Sequence, residues 1–507
     1  MYTHISTGRH ARVLWKCSRI LYCFPLKVIF CVVDETGESA GGRLTDRISI
    51  GVLTRVVPRD LVHEVLAETR RREKRSRLLP AHVVVYFVMA MAIFRDGYEE
   101  VMRRLTGGLA FMRAWSQDWV VPTSGAISQA RERLGEAPVK MLFQKVAVPL
   151  AAPGAPGAWL GHRRLMAIDG VKLDAPDTAA NLAWLGRPGG LTRRPFPQVQ
   201  VLGLGECGTH AVIAAQIGTL GVGERELAAG LLEAMGPGML VIADRGFFSF
   251  EFWRDCLLTG ADLLFRVPAG LKLPVLQTLP DGSYLSEVHT QKVRSSGFRI
   301  PLAEASDPRN ATHIPVRVIE YTITPQAAGA RPETFRLITT ILDPDDVTAI
   351  ELAAAYAQRW EYEMSLREIE TQMLEPGGGL RSKSPDLLRQ ELWGLLLAHF
   401  AIRSLMAEAA ASAGLDPDRL SFMRSISLVR RQVTDQAAFP PGRLERAREA
   451  AIAEILERVS KGRRKRSYPR VIKKYKGRTF PVKQPGQTGQ RHDPVLEIRR
   501  PLVALLN

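Results

Sequence analysis

Residues Met239–Phe250 read MLVIADRGFFSF, and the fold class turns on them. Five apolar, mostly branched residues match the length of a buried strand and fall short of a core helix. The run delivers a carboxylate, Asp244, after which Arg245-Gly246 turns the chain toward a helix opened by aromatic residues. Arg164–Gly170, RLMAIDG, has the same form and delivers Asp169. A carboxylate at the end of a buried strand is costly without a partner, so both positions require a metal ion or a cationic side chain nearby.

Outward from these runs, Val199–Leu204 (VQVLGL) and Ala211–Ile217 (AVIAAQI) read as further strands, and Glu224–Met235 has helical spacing. Strands followed by strand–helix alternation predict a mixed α/β sheet across residues 160–410. Inside that span, residues 271–342 place turn signals between strand-like segments, including Val316–Ile323 and Thr334–Leu342, and read as a β-rich insertion. Thr348–Met373 is one long helical pattern stopped by Pro376-Gly377-Gly378-Gly379, and Pro385–Ala413 is apolar at the spacing of a core helix.

Upstream, residues 45–150 are patterned as an all-helical basic domain. Arg70, Arg71, Arg72, Lys74, Arg75 and Arg77 form a basic run, and Pro80 opens an apolar helix over Ala81–Phe94. Thr123 or Ser124 caps a further helix that presents Gln129, Arg131 and Arg133. This arrangement suggests DNA binding, with a solvated helix face as the plainer reading. Ala151–Gly161, rich in Pro, Gly and Ala, reads as a linker. Residues 411–507 read as a helical C-terminal region with a basic tail, and residues 1–44 as a poorly ordered extension.

The 507-residue chain is 46% hydrophobic, enough for a substantial core, and its formal charge of +17 favours a polyanionic partner. Positive charge is densest in Lys461–Arg478, which includes Arg463, Arg464, Lys465, Arg466, Lys473 and Lys474, interleaves Tyr468 and Tyr475, and holds no acidic residue. Such a run repels itself unless a polyanion neutralises it, which points to phosphate contact; a solvated tail is the alternative. Five cysteines, an odd number at spacings that match no zinc ligand set, predict reduced thiols in a cytoplasmic, nucleoid-associated protein. The run Ala81–Phe94 is shorter than the ~20 residues that cross a bilayer, so no membrane partner is expected. The chain has no GxxxxGK[ST] loop to indicate ATP hydrolysis.

The chemistry-bearing constellation is completed by Tyr356–Glu370, YAQRWEYEMSLREIE. On a continuous α-helix, at about 100° per residue, Tyr356, Arg359, Glu363 and Glu370 fall within roughly 60° of one another. Asp169, Asp244 and Glu363 together make a set of hard oxygen ligands suited to two Mg²⁺ or Mn²⁺ ions. Such a pair can activate a water or a 3′-hydroxyl and stabilise the leaving oxygen of a phosphodiester. Asp174 is the rival to Asp169, and His210 reads as a hydrogen-bonded loop histidine.

D-x-G-x-F at Asp244–Phe248, followed downstream by Y-x2-R-x3-E at Tyr356, Arg359 and Glu363, resembles the signature of the insertion-element-four family of DDE transposases. DGVKLDAPDT around Asp169 and VIADRGFF around Asp244 also resemble that family's actinobacterial members, and the resemblance spans about residues 45–480. It implies a ribonuclease-H-like core and cut-and-paste transposition: end nicking, hairpin formation and opening, and strand transfer into target DNA. It implies double-stranded DNA as partner, both the terminal inverted repeats and the target, and a homodimer holding two ends. Tyr356 and Arg359 would then bind terminal phosphates and a flipped base. Trp360 is either a further stacking surface or a core residue, and Arg245 either a phosphate contact or a structural ion pair. The family pattern has Lys seven residues after the Glu, where this chain has Glu370. Arg367 and Lys383 are the cations available to replace it. Two other functions fit the same residues: a catalytically silent DNA-binding protein derived from a transposase, and a metal-dependent nuclease of the same fold.

Overall fold

The computed structural model describes residues 47–499 apart from 74, 76, 112–119, 188–195, 291–299, 302–303, 306, 325–331, 375–378, 439 and 461–494. Arg463, Arg464, Lys465, Arg466, Lys473 and Lys474 lie outside the described residues, as does the extension expected over residues 1–44.

Eleven described strands form one mixed sheet: β1 (Trp159–Leu160), β2 (Arg163–Asp174), β3 (Gln198–Glu206), β4 (Val212–Thr219), β5 (Met239–Ala243), β6 (Asp262–Arg266), β7 (Gln277–Thr278), β8 (Tyr284–His289), β9 (His313–Thr324), β10 (Glu333–Thr339) and β11 (Val495–Ile498). Their order is β4-β3-β2-β5-β6-β10-β9-β8-β7, with β1 beside β2 and β11 beside β9. Strands β4, β3 and β2 pair antiparallel, whereas β2, β5 and β6 run parallel. The apolar run of β5 suits this central position, because a parallel strand covered on both faces needs no polar alternation. The β-rich stretch continues the same sheet, since β10 pairs antiparallel with β6.

Helices cover both faces. On the N-terminal side lie α1 (Arg59–Glu68), α2 (Ala81–Ile93), α3 (Tyr98–Phe111), α4 (Ser124–Leu134) and α5 (Ala137–Val146). Within the sheet region come α6 (Ala179–Leu185), α7 (Glu224–Ala229) and α8 (Phe250–Leu257). The last two lie in the connections β4–β5 and β5–β6. After the sheet follow α9 (Ala349–Ala357), α10 (Arg359–Arg367), α11 (Pro385–Ser412), α12 (Phe422–Thr434) and α13 (Leu444–Leu456).

Every residue of α2 is buried, and it crosses α11 so closely that a Cβ on Gly394 would lie 2.5 Å from Val88 Cγ1. The helices of residues 59–146, one sheet face and α11–α13 share one hydrophobic core, and the opposite sheet face encloses a second. Helix α11 is long and apolar enough to cross a bilayer, but most of it is buried against these neighbours. Thr123 caps α4 as expected, accepting from the Ala126 amide. One expectation for α4 is overturned: Arg131 is fully buried. Its guanidinium donates to Gln390 Oε1 at 2.9 Å, Ser382 Oγ at 2.9 Å and the Leu387 carbonyl at 3.0 Å. Gln129 and Arg133 do face solvent.

The long helix expected over Thr348–Met373 is broken twice. At Gln358 the amide turns back to Ala355, ending α9, and beyond Arg367 the winding widens into a π turn, Glu368–Met373. Glu368, where the π turn begins, is buried, and Glu370 within it is exposed.

Candidate active site

Asp169 and Asp244 are brought together by the parallel register of β2 and β5, which pairs Ile168 with Ala243. Each aspartate is the next residue along, so the two carboxylates stand side by side on one face of the sheet. Asp244 does end its strand. Asp169 does not: β2 runs on to Asp174, because β3 continues to pair with it beyond the end of β5. Asp174, five positions along, points to the opposite face and accepts from Gln198 Nε2 at 2.7 Å.

Glu363 arrives on α10, which packs against this part of the sheet through Tyr362. The Tyr362 ring is buried over Gly203 and Gly205 of β3, and a Cβ on either glycine would overlap it. Gly203 is the cross-strand neighbour of Asp169. Alternate glycines in VLGLGE thus let the helix approach the sheet, bringing Glu363 to the aspartates. That G-x-G spacing was the available signal for a close helix, and it carried no meaning without knowing what packs on β3.

Two partners, a phenol on α9 and a guanidinium on α10, link these helices to the carboxylates. Arg359 Nη1 donates to Asp169 Oδ2 at 3.1 Å, and Tyr356 Oη donates to Asp244 Oδ1 at 3.2 Å. The Gly170 amide donates to Asp169 Oδ1 at 2.8 Å. Burial pushes the Asp169 carboxyl up; Gly170 and Arg359 oppose this, while Glu363 and Asp244 add to it. Burial alone would make Arg359 less basic, but Tyr356, Asp169, Asp244 and Glu363 raise it overall. Burial, then the charge of Asp244, raises the Tyr356 phenol. Three carboxylates thus act on one another beside the Arg359 guanidinium, and their mutual repulsion adds to the effect of burial. The ligands are hard oxygens, and the donor set fits divalent Mg²⁺ or Mn²⁺.

The remaining sequence candidates divide. Trp360 is 53% exposed with the Arg359 guanidinium 4.9 Å from its ring centre, so it is a surface ring and not a core residue. Arg245 is exposed on the turn after Asp244. Arg367 is half-buried one turn beyond Glu363. Lys383 is exposed, and its carbonyl accepts from Thr178 Oγ1 at 2.8 Å. Glu370 is exposed within the π turn.

One site residue escapes any sequence reading. The β5–β6 register pairs Ala243 with Phe265, which sets Arg266 level with Asp244 and Asp169. Its guanidinium lies 4.2 Å from the centre of the Phe335 ring, donates to Glu333 at 2.8 Å and acts electrostatically on Tyr356. Only the strand register shows that an arginine ending LLFR stands in the carboxylate row. His210 is buried, as is Glu368, and both belong to an ion network behind α10. Part of it, His210, Glu361 and Asp418, has ligand-type atoms within 4.8 Å of one another.

Comparison with known proteins matches residues 47–144 to the insertion element 4 transposase N-terminal family and residues 161–401 to the transposase DDE domain family. The chain is 30% identical over 419 residues to the transposase InsG of insertion sequence element IS4 from Escherichia coli K12, covering 82% of this chain and 90% of that protein. It is 27% identical over 209 residues to the putative transposase InsZ of the same organism, covering 40% of this chain and 64% of that protein. Among solved structures, a piggyBac transposase synaptic complex with hairpin DNA aligns with a TM-score of 0.42 at 13% identity, over 81% of this chain and 86% of that one.

Proposed function

The chain belongs to the insertion element 4 family of DDE transposases, and we propose that Asp169, Asp244 and Glu363 are the carboxylates with which it cuts and joins DNA. It is a DNA transposase, an enzyme that cleaves and transfers DNA strands. The observation that carries the residue assignment is the parallel register setting Asp169 beside Asp244, under the helix that brings Glu363. Two divalent ions held there would supply activation of a water or 3′-hydroxyl and stabilisation of the leaving oxygen.

The chain's own residues prepare the site around them. Arg359 and the Gly170 amide hold the Asp169 carboxylate in place, and Tyr356 does the same for Asp244. Arg359 and Arg266 offer positive charge to a phosphate beside the carboxylates, and exposed Trp360 offers a face on which an unpaired base can stack. Arg245 and Arg367 stand where flanking phosphates would pass. The antiparallel trio β4-β3-β2 continued by parallel β5 and β6 supports a ribonuclease-H-like core. The basic tail, with Arg463, Arg464, Lys465, Arg466, Lys473 and Lys474, is assigned to the DNA backbone. Terminal inverted repeats and target DNA as substrates, hairpin intermediates, a homodimer holding two ends and a cytoplasmic, nucleoid-associated location complete this reading.

The test uses the purified full-length chain and a duplex carrying the inverted repeat that flanks its gene. Nicking at the repeat boundary is expected with Mg²⁺ or Mn²⁺ only, falling about 10³-fold in Asp169→Ala, as loss of several kcal/mol of metal-derived stabilisation requires. Undiminished cleavage by that variant overturns the metal-site assignment. A donor end with a free 3′-hydroxyl that is never joined to target would instead identify a nuclease.

A further inference from the structure

Behind α10, away from the aspartates, a buried ion network grips the same helical stretch. Glu368, the first residue of the π turn, accepts from Arg403 Nε at 2.9 Å and lies 3.2 Å from His399 Nε2. Arg403 Nη2 bonds its other oxygen, forming a two-pronged clamp. The same Nη2 donates to His210 Nδ1 at 2.7 Å. The far nitrogen of His210, Nε2, lies 2.7 Å from Asp418 Oδ1 and 3.5 Å from Glu361 Oε2. His210, Glu368, His399 and Arg403 are all buried, and His210 holds a left-handed backbone conformation with φ of 61°. A non-glycine residue persists there only when its surroundings over-determine it.

We propose that Glu368 and His210, joined through Arg403, are positioning residues that hold Glu363 in register with Asp169 and Asp244. Glu361 lies two residues before Glu363 and Glu368 five residues after it, so the network fastens the helix on both sides of the proposed ligand. The anchors come from α11, through Arg403 and His399, and from the β3–β4 turn, through His210. These parts of the chain lie outside α10. Glu361 and Glu368 are seven residues apart, about 20° around an α-helix, so both face the network, and the π turn begins only at Glu368. Arg403 keeps Glu368 ionised despite a burial that by itself would favour the proton.

The His210–Glu361–Asp418 corner also has the make-up of a cation site. The contact from Arg403 favours a proton there over a metal ion. A donor facing Nδ1 puts the ring's hydrogen on Nε2, where a metal would need a lone pair.

This inference rests on the proposed metal site, and the experiment separates the two. Mn²⁺ binding to the full-length protein with its end duplex is followed by electron paramagnetic resonance, well below the melting temperature of each variant. Asp169→Ala is expected to abolish tight binding; if it does not, the metal-site reading itself fails. With that control in place, Glu368→Gln and Arg403→Lys are expected to weaken Mn²⁺ at least tenfold, as loss of an outer-shell partner does, with duplex affinity retained. Melting temperatures that fall while Mn²⁺ affinity stays at the wild-type value would make the network merely structural and overturn the proposal. Should Glu368→Gln fail to fold, Arg403→Lys, which keeps the charge and loses the two-pronged geometry, decides alone. Loss of one bound ion in His210→Ala, with the others unaffected, would also overturn it by identifying the cluster as a metal site.

Discussion

Asp169 and Glu368 are both carboxylates drawn out of solvent toward an arginine, yet their affinities for a proton move in opposite directions. Asp169 shares Arg359 with Asp244, Glu363 and Tyr356, and burial together with those neighbours raises it. Glu368 has the two-pronged grip of Arg403 plus His399, and is held ionised. One carboxylate shares its arginine with two others, and the other receives both prongs of its own. The raised Asp169 carboxyl beside Asp244 and Glu363 is what the proposed binding of a divalent cation would relieve. The doubly held Glu368 is where the proposed positioning contact lies.

Removing one partner from each cluster should separate them most sharply. Glu368→Gln leaves the buried Arg403 charge uncompensated and is expected to cost about 3–5 kcal/mol in urea unfolding. Asp169→Asn should stay within about 1 kcal/mol of wild type, because the lost bond to Arg359 is offset by relief from Asp244 and Glu363. Equal losses would erase the distinction. Gly205→Ala pushes a methyl into the Tyr362 ring, with an expected loss of about 1–3 kcal/mol. DNA cleavage per folded molecule should fall further than that loss explains, and unchanged cleavage would show that this packing does not set Glu363.

The smallest effect is on pH dependence, in metal-free buffer. A depressed carboxyl stabilises the fold above the unfolded value of about 4.3 and loses that contribution as pH falls through its folded value. The stability gap between wild type and Glu368→Gln should therefore narrow below about pH 4. A raised carboxyl has the opposite sign, so wild type should gain on Asp169→Asn as pH falls through the Asp169 value. Urea midpoints between pH 7 and 3 test both slopes, and parallel slopes would contradict the comparison.

The strands bearing Asp169 and Asp244 were legible because apolar runs of that length have few other uses, and the carboxylates closing them were conspicuous. Thr123 announced itself as a cap for a similarly local reason. Arg131 misled, since a helix presenting arginines looks the same in sequence whether its neighbour is water or Gln390 and Ser382. The single helix drawn through Tyr356–Glu370 misled as well, because the chain breaks at Gln358 and widens into a π turn from Glu368.

Sequence by itself therefore determined the mixed sheet, the strand-borne aspartates, the helical setting of Tyr356, Arg359 and Glu363, and the family that this order resembles. These rest on short-range periodicity and spacing, which the chain carries locally. Tertiary structure alone decided that Asp169 lies within a longer strand and that Arg266 joins the carboxylate row. It also decided that Gly203 and Gly205 admit Tyr362, and that Glu368 turns inward to Arg403. Each of those depends on register or packing between segments distant in the chain, and burial and charge compensation acquire their values only when those segments meet.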